Sequence, residues 1–197
     1  MKLTELLLFG VAGWAGIGAV GVAISLRRGR RAEALKNAAW VATVAGAYLV
    51  LLLLVSVFQQ QKLVRIGQDQ CFDEMCFAVT GVDEVPGLIS GLPDRVIRVQ
   101  ITVANRGRSP HAEKLLTACL TDAQGRTWQP LAGLSGNALT SRVTGGSQMV
   151  SQPMFRVAKG STGLSLIFTH GNWQPGRLVV GDSESLAHRP TLVPLGR

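Results

Sequence analysis

Residues 96–107 read VIRVQITVANRG. Ile97, Val99, Ile101 and Val103 alternate with Arg98, Gln100 and Thr102, the two-residue period of a strand with one buried face. Asn105 and Gly107 then supply turn chemistry. The period returns downstream, where Leu116, Ala118 and Leu120 alternate with Thr117, Cys119 and Thr121. It returns again where Leu164, Leu166 and Phe168 alternate with Ser165, Ile167 and Thr169. Turn residues separate these runs at Asn105 to Ser109, Asp122 to Gly125, Gly145 and Gly146, Lys159 to Gly163 and His170 to Asn172. Strands are predicted near 77–82, 95–104, 115–121, 127–128, 147–157, 163–169 and 177–180, about the seven that a β-sandwich requires.

Upstream the pattern changes. Leu6 to Leu26 and Ala38 to Phe58 are each 21 residues without a charge, and each as a helix would span roughly 31 Å, the thickness of the hydrocarbon core. A cleaved signal peptide is the competing reading of the first run, opposed by its length and by the arginines that follow it. Arg27, Arg28, Arg30, Arg31 and Lys36 lie between the runs against a single Glu33, whereas Lys2 alone precedes them and Lys62 and Arg65 follow. The positive-inside rule makes the connector, residues 27–37, cytoplasmic and both termini extracytoplasmic. The expected arrangement is therefore a two-pass membrane hairpin over residues 1–61; the resemblance given below implies that this membrane is the bacterial inner membrane. Ala15, Ala19 and Ala23 face Ala38, Ala42 and Gly46 as candidate packing stripes, although such residues are also common in membrane helices generally.

Charged residues make up only 16% of the 197, and the sequence pI is 10.3. Six of the 20 Lys and Arg lie in residues 1–61, so the outer segment carries 14 against ten acids, with no basic run. Nucleic-acid binding is not expected from that distribution. Gly16, Gly18 and Gly21 spell G-x-G-x-x-G, but inside a continuous apolar run they read as helix packing rather than dinucleotide binding. Neither run contains an ionisable residue that would serve a proton relay or ligate a haem. No hydrolase or phosphate-loop signature occurs, and Asp182, Ser183 and His188 lack the context of a triad. No catalytic residue, cofactor, metal or small-molecule substrate is expected.

Cys71 and Cys76 bracket four residues between strand-like flanks, where the two would face each other across a hairpin. A disulfide is the favoured reading outside the cytoplasm, with two free thiols or a metal site as alternatives. Cys119 reads as a buried free thiol. Trp14 and Tyr48 fall near mid-membrane: either the two rings pack together with the Tyr48 hydroxyl on a backbone carbonyl, or they face another membrane protein.

The succession VIRVQITVANRG, LTDAQGRTW, TGGSQMVSQPMFRV and GLSLIFTH resembles bacterial extracytoplasmic immunoglobulin-like domains of unknown function, grouped with a secreted mycobacterial antigen. The resemblance covers roughly residues 64–180 and implies an immunoglobulin-like sandwich with no catalytic residues. The chain departs from that family in having two helices with an arginine connector, and a tail after Val180.

In the tail, Pro190 and Pro194 flank Thr191, Leu192 and Val193, which predicts an edge strand or an extended arm over 181–197, or simply a frayed end. Thr191, Leu192, Val193 and Leu195 are candidate partner contacts, with Trp14 and Tyr48. The whole reads as a membrane-anchored all-β protein whose sandwich occupies 62–180. The expected function is a structural or assembly subunit bound to membrane-embedded proteins and the lipid bilayer, with a respiratory or photosynthetic assembly as one compatible host. A ligand-binding or envelope-stress sensor is the alternative.

Overall fold

The computed structural model describes residues 3–86, 94–134, 136–171, 175–181, 185–186 and 188–196. Lys2, Asn172, Asp182 and Ser183 lie outside them. The chain forms two compact units, one comprising Met1–Gln60 and Gln174–Arg189, the other Gln61–Trp173 and Pro190–Arg197. This division differs from a hairpin, a sandwich ending at Val180 and a separate tail. The segment expected to hold the last strand belongs with the helices, and the final eight residues belong with the sandwich.

In the first unit, α1 (Leu3–Arg27) and α2 (Arg31–Phe58) pack as an antiparallel hairpin, both long and apolar enough to cross a membrane. Only Arg28, Gly29 and Arg30 separate them, with Gly29 at φ +74°. The connector is shorter than the expected 27–37 because Ala32, Glu33, Ala34, Leu35 and Lys36 are good helix formers and carry α2 beyond its apolar run. The covered positions of α1 include Leu8, Val11, Ala15, Gly18, Val22 and Ser25, with Gly21 also partly covered at the edge of the seam. Their partners on α2 include Ala34, Val41, Ala45, Tyr48, Leu52 and Val55. Steps of three and four alternate along both, the 3.5-residue repeat of a left-handed seam.

The expected small-residue stripes are not this seam, since Ala19, Ala23, Ala38 and Ala42 are exposed and only Ala15 and Gly46 are partly covered. A strict four-residue step rotates about 40° per step off the helix face, so it leaves the contact within two turns. Pro175–Leu178 adds a short 3-10 turn to this unit where a strand at 177–180 was expected.

The second unit is a β-sandwich of antiparallel strands. One sheet contains β1 (Gln70–Phe72), β2 (Met75–Val85), β3 (Asp94–Asn105), β6 (Gln148–Ser151) and β7 (Met154–Ala158), and β3 is its hub. The other runs in the order β5 (Thr127–Trp128), β4 (Thr117–Thr121), β8 (Ser165–Thr169) and β9 (Val193–Pro194). Ile97, Val99, Ile101 and Val103 of β3 are all buried, as their alternation requires. They meet Phe77 and Val79 of β2, Phe155 of β7, and Leu120 and Leu166 from the opposite sheet in one core. Each such side chain contributes about 1.5–3 kcal/mol on burial.

The strand expected over 147–157 divides at Pro153, which has no N–H for the ladder. The Pro153 carbonyl still accepts the Val99 N–H at 3.0 Å, so β6 and β7 both remain on β3. Thr80 is an extra residue in β2, where the register to β3 shifts between Val79 and Gly81.

Candidate functional site

The β1–β2 turn is built from Phe72, Asp73, Glu74 and Met75, with Asp73 at φ +50°, the positive-φ geometry that two-residue hairpins use. This places Cys71 opposite Cys76 with Cα atoms 4.0 Å apart, and the two form a disulfide. Asp69 lies beside both sulfurs, but sulfurs held in a disulfide provide no thiolate for a metal. Asp69 instead pairs with Arg106. Cys119 is half-buried on the side of β4 turned away from the core, not fully buried as expected. Burial pushes its thiol upward, with a Gln129 hydrogen bond opposing that rise, so little thiolate forms at neutral pH.

One polar cluster near this hairpin has no signature in the sequence. Glu113 stands between His170, whose Nε2 is 3.4 Å from one carboxylate oxygen, and His111, whose Nε2 is 4.0 Å from the other. His170 also meets Phe72 edge-on at 4.7 Å. The sequence distance between His111 and His170 conceals the pairing, and only the fold brings both to one carboxylate. Next to it, Pro110, His111, Ala112, Lys114, Thr140 and Arg142 line an open cleft of about 550 Å³. The lining is basic, and a smaller cleft of about 140 Å³ beneath Leu116, Pro130, Leu139 and Pro153 is mostly apolar.

In the helical unit, Arg27, Arg28, Arg30, Arg31 and Lys36 are all exposed around the connector, and Arg30 pairs with Glu33 at 2.9 Å. Exposed pairs of this kind contribute about 0–1 kcal/mol, so the positive charge remains a surface property. Tyr48 and Trp14 separate. Trp14 is exposed, whereas Tyr48 is buried and donates its hydroxyl to the Leu178 carbonyl at 2.5 Å. Val180 joins Tyr48 and Leu52 in a small apolar cluster with Leu8, Val11 and Val55. Ser56 and Ser185 share a hydrogen bond of 2.8 Å. Tyr48 therefore serves its own chain and is withdrawn as a partner contact.

Three of the four tail residues, Thr191, Val193 and Leu195, are withdrawn for a similar reason, while the Leu192 side chain stays partly exposed. Val193 is 2% and Leu195 5% exposed, Thr191 is buried, and all three side chains are spent within the sandwich. β9 pairs with β8 through Leu166 and Val193, while Leu192 exchanges backbone hydrogen bonds with Lys62 and Val64 on its other side. The segment is neither a free arm nor a frayed end. Pro190 precedes strand β9 and Pro194 closes it, so neither proline interrupts a longer ladder.

No family model matches the chain, and no curated protein matches it. Among solved structures it is similar to an uncharacterized β-sandwich protein from Clostridium difficile 630, at 12% identity and a TM-score of 0.45, over 70% of this chain and 95% of that one. It is also similar to a secreted protein from Mycobacterium tuberculosis, at 16% identity and a TM-score of 0.43, over 59% of this chain and 98% of that one. A third likeness is to the yjhA protein from Bacillus subtilis, at 16% identity and a TM-score of 0.42, over 66% and 98%. The β-sandwich assignment itself rests on the two sheets described above.

Proposed function

We propose that this chain is a non-catalytic structural or assembly subunit of a larger membrane protein complex. Its hairpin crosses the bacterial inner membrane, and its immunoglobulin-like sandwich lies on the extracytoplasmic side. The observation that carries this reading is the outward face of α1. Gly10, Gly13 and Gly21 have open space where a Cβ would stand, and they flank exposed Trp14 and Ile17. At 100° per residue, Gly10, Trp14 and Ile17, all exposed, fall within about 60° of one another on the flank of the seam. Glycine inside a helix costs roughly 1 kcal/mol relative to alanine, and packing against α2 requires none of these three. In a bilayer, glycines let a second helix approach closely, and a protruding indole beside them gives that helix a specific contact.

Orientation follows from the five basic residues at the connector, which hold that end in the cytoplasm and both termini outside. The test is photocrosslinking from positions 14 and 17 of the full chain in its native membrane, with position 54 on α2 as the comparison. A membrane protein captured from 14 and 17, and lost on Gly13→Ile, supports the subunit reading. A chain that captures nothing and purifies alone under gentle detergent overturns it. The second reading, an extracytoplasmic sensor, is favoured by the basic cleft at His111, Lys114 and Arg142, which suits a small anion.

A further inference from the structure

In the apolar run of α2, from Ala38 to Phe58, the polar side chains apart from Trp40 are Thr43, Tyr48 and Ser56. Thr43 bonds back to the Ala39 carbonyl in its own helix. The other two bind one distant segment, Tyr48 at Leu178 and Ser56 at Ser185. Tyr48 is ten residues from the end of α2, about 15 Å at 1.5 Å per residue. Val11, in the same cluster, is five residues from the start of the uncharged run of α1, about 7 Å. By either count the Leu178 carbonyl lies well below the outer edge of the apolar hairpin.

We infer that the stretch Pro175–Gly181 is a third membrane-embedded element, re-entering the outer leaflet along the hairpin with Leu178 turned to the acyl chains. The inference rests on the membrane reading above. Irregular backbone is tolerated at such depth only where protein satisfies its polar groups. Here the Leu178 carbonyl takes the Tyr48 hydroxyl, and the Arg177 carbonyl takes the Leu186 N–H at 2.8 Å. Val179 and Val180 are buried, while the Leu178 side chain is 44% exposed. Arg177 is half-buried and engaged in an interaction of its own.

The test reconstitutes the full chain, with Cys119→Ser, into phosphatidylcholine and phosphatidylglycerol vesicles, carrying a nitroxide at Leu178→Cys, Ile17→Cys or Lys159→Cys. Ile17 is the lipid reference, being 76% exposed near the middle of α1, and Lys159 is the aqueous reference. The ratio of oxygen to nickel-chelate collisions at 178 is expected within about twofold of that at 17, both sites being in hydrocarbon. Tyr48→Phe is expected to move that ratio toward the aqueous value. A label at 178 that matches position 159, while 17 stays lipid-like, overturns the re-entrant segment and leaves the hairpin standing. Water-like behaviour at 17 as well overturns both. Should the labelled variants misfold, carbene photolabelling of the unmodified chain from diazirine acyl chains decides: adducts within 177–181 are expected, and adducts confined to α1 and α2 would refute the inference.

Discussion

A Cβ placed on Gly18 would stand 2.4 Å from Cγ2 of Val41, so these two residues set how closely α1 and α2 approach. Gly16, two residues away, has open space where a Cβ would stand. Gly18→Ala is therefore expected to destabilise the hairpin by about 1–3 kcal/mol through overpacking of a β-branched side chain. Gly16→Ala is expected to be neutral within the hairpin or stabilising by up to ~1 kcal/mol. Adding Val41→Ala should restore most of the Gly18→Ala loss. Unfolding in detergent followed by circular dichroism measures all three, and equal effects of the two glycine substitutions would remove the seam from this position.

Asn105 closes β3 with a fully used side chain. Its Nδ2 donates to the Ser109 and Val143 carbonyls, both at 2.8 Å, and its Oδ1 accepts the Gly107 N–H at 2.9 Å. Asn105→Ala leaves these buried groups without partners, and a loss of about 3 kcal/mol is expected. Gly145→Ala should be comparably damaging, because its Cβ would meet the backbone of Arg108 at 2.5 Å. Thermal unfolding of the full chain reads both, and a negligible change in melting temperature for either would contradict the geometry.

The Asp122 carboxylate is fully buried in the β4–β5 turn. Burial raises its pKa, but the Arg126 side chain, the Arg126 and Gln124 backbone N–H groups and the Arg126 charge together leave it below the usual carboxylate value. A depressed folded-state pKa means the stabilisation is complete above the unfolded value, about 3.9. It is lost as pH falls through the folded value. Asp122→Asn should lower stability at neutral pH and flatten the acid limb of the profile. Denaturant midpoints between pH 2 and 7 would show it, and parallel profiles for the two proteins would count against this role.

Reduction of the Cys71–Cys76 disulfide should be mild. A sequence separation of 5 closes a small loop, for which the chain-entropy account gives about 2 kcal/mol. Met75 and Phe77 on the core flank of the hairpin are fully buried and belong to the main core, which does not depend on the bond for its contacts. Cys71→Ser with Cys76→Ser is expected to fold with a lowered melting temperature, and peptide mapping without reductant should recover the linked pair from unmodified protein.

What could be read from the chain depended on how local the cause was. β3, β4 and β8 were legible because each carries its burial pattern in its own alternation, and the inward residues are those the period selects. The hairpin was legible as two apolar runs, but its seam was not. Composition shows which small residues exist, and the 3.5-residue repeat decides which of them meet. The segment 177–180 looks strand-like because its apolar residues are adjacent, yet their burial comes from two helices far earlier in the chain. The Glu113 cluster was invisible for the same reason, since no spacing links His111 to His170.

The tail provides the sharpest reversal. Removing residues 190–197 deletes β9, and with it Val193 and Leu195 from the core and the backbone pairing to Leu164 at 2.9 Å. Two apolar side chains at about 1.5–3 kcal/mol each amount to a large share of the stability of a domain this size, before the lost strand is counted. The truncated chain is therefore expected to lose the cooperative unfolding of its sandwich, rather than keep it and lose only a partner. The milder Val193→Ala should lower stability by about 2 kcal/mol without changing the fold. Limited proteolysis of full-length and truncated chains in the same detergent compares them directly. A protease-resistant sandwich that survives the truncation would show that β9 merely lies on the sheet and does not complete it.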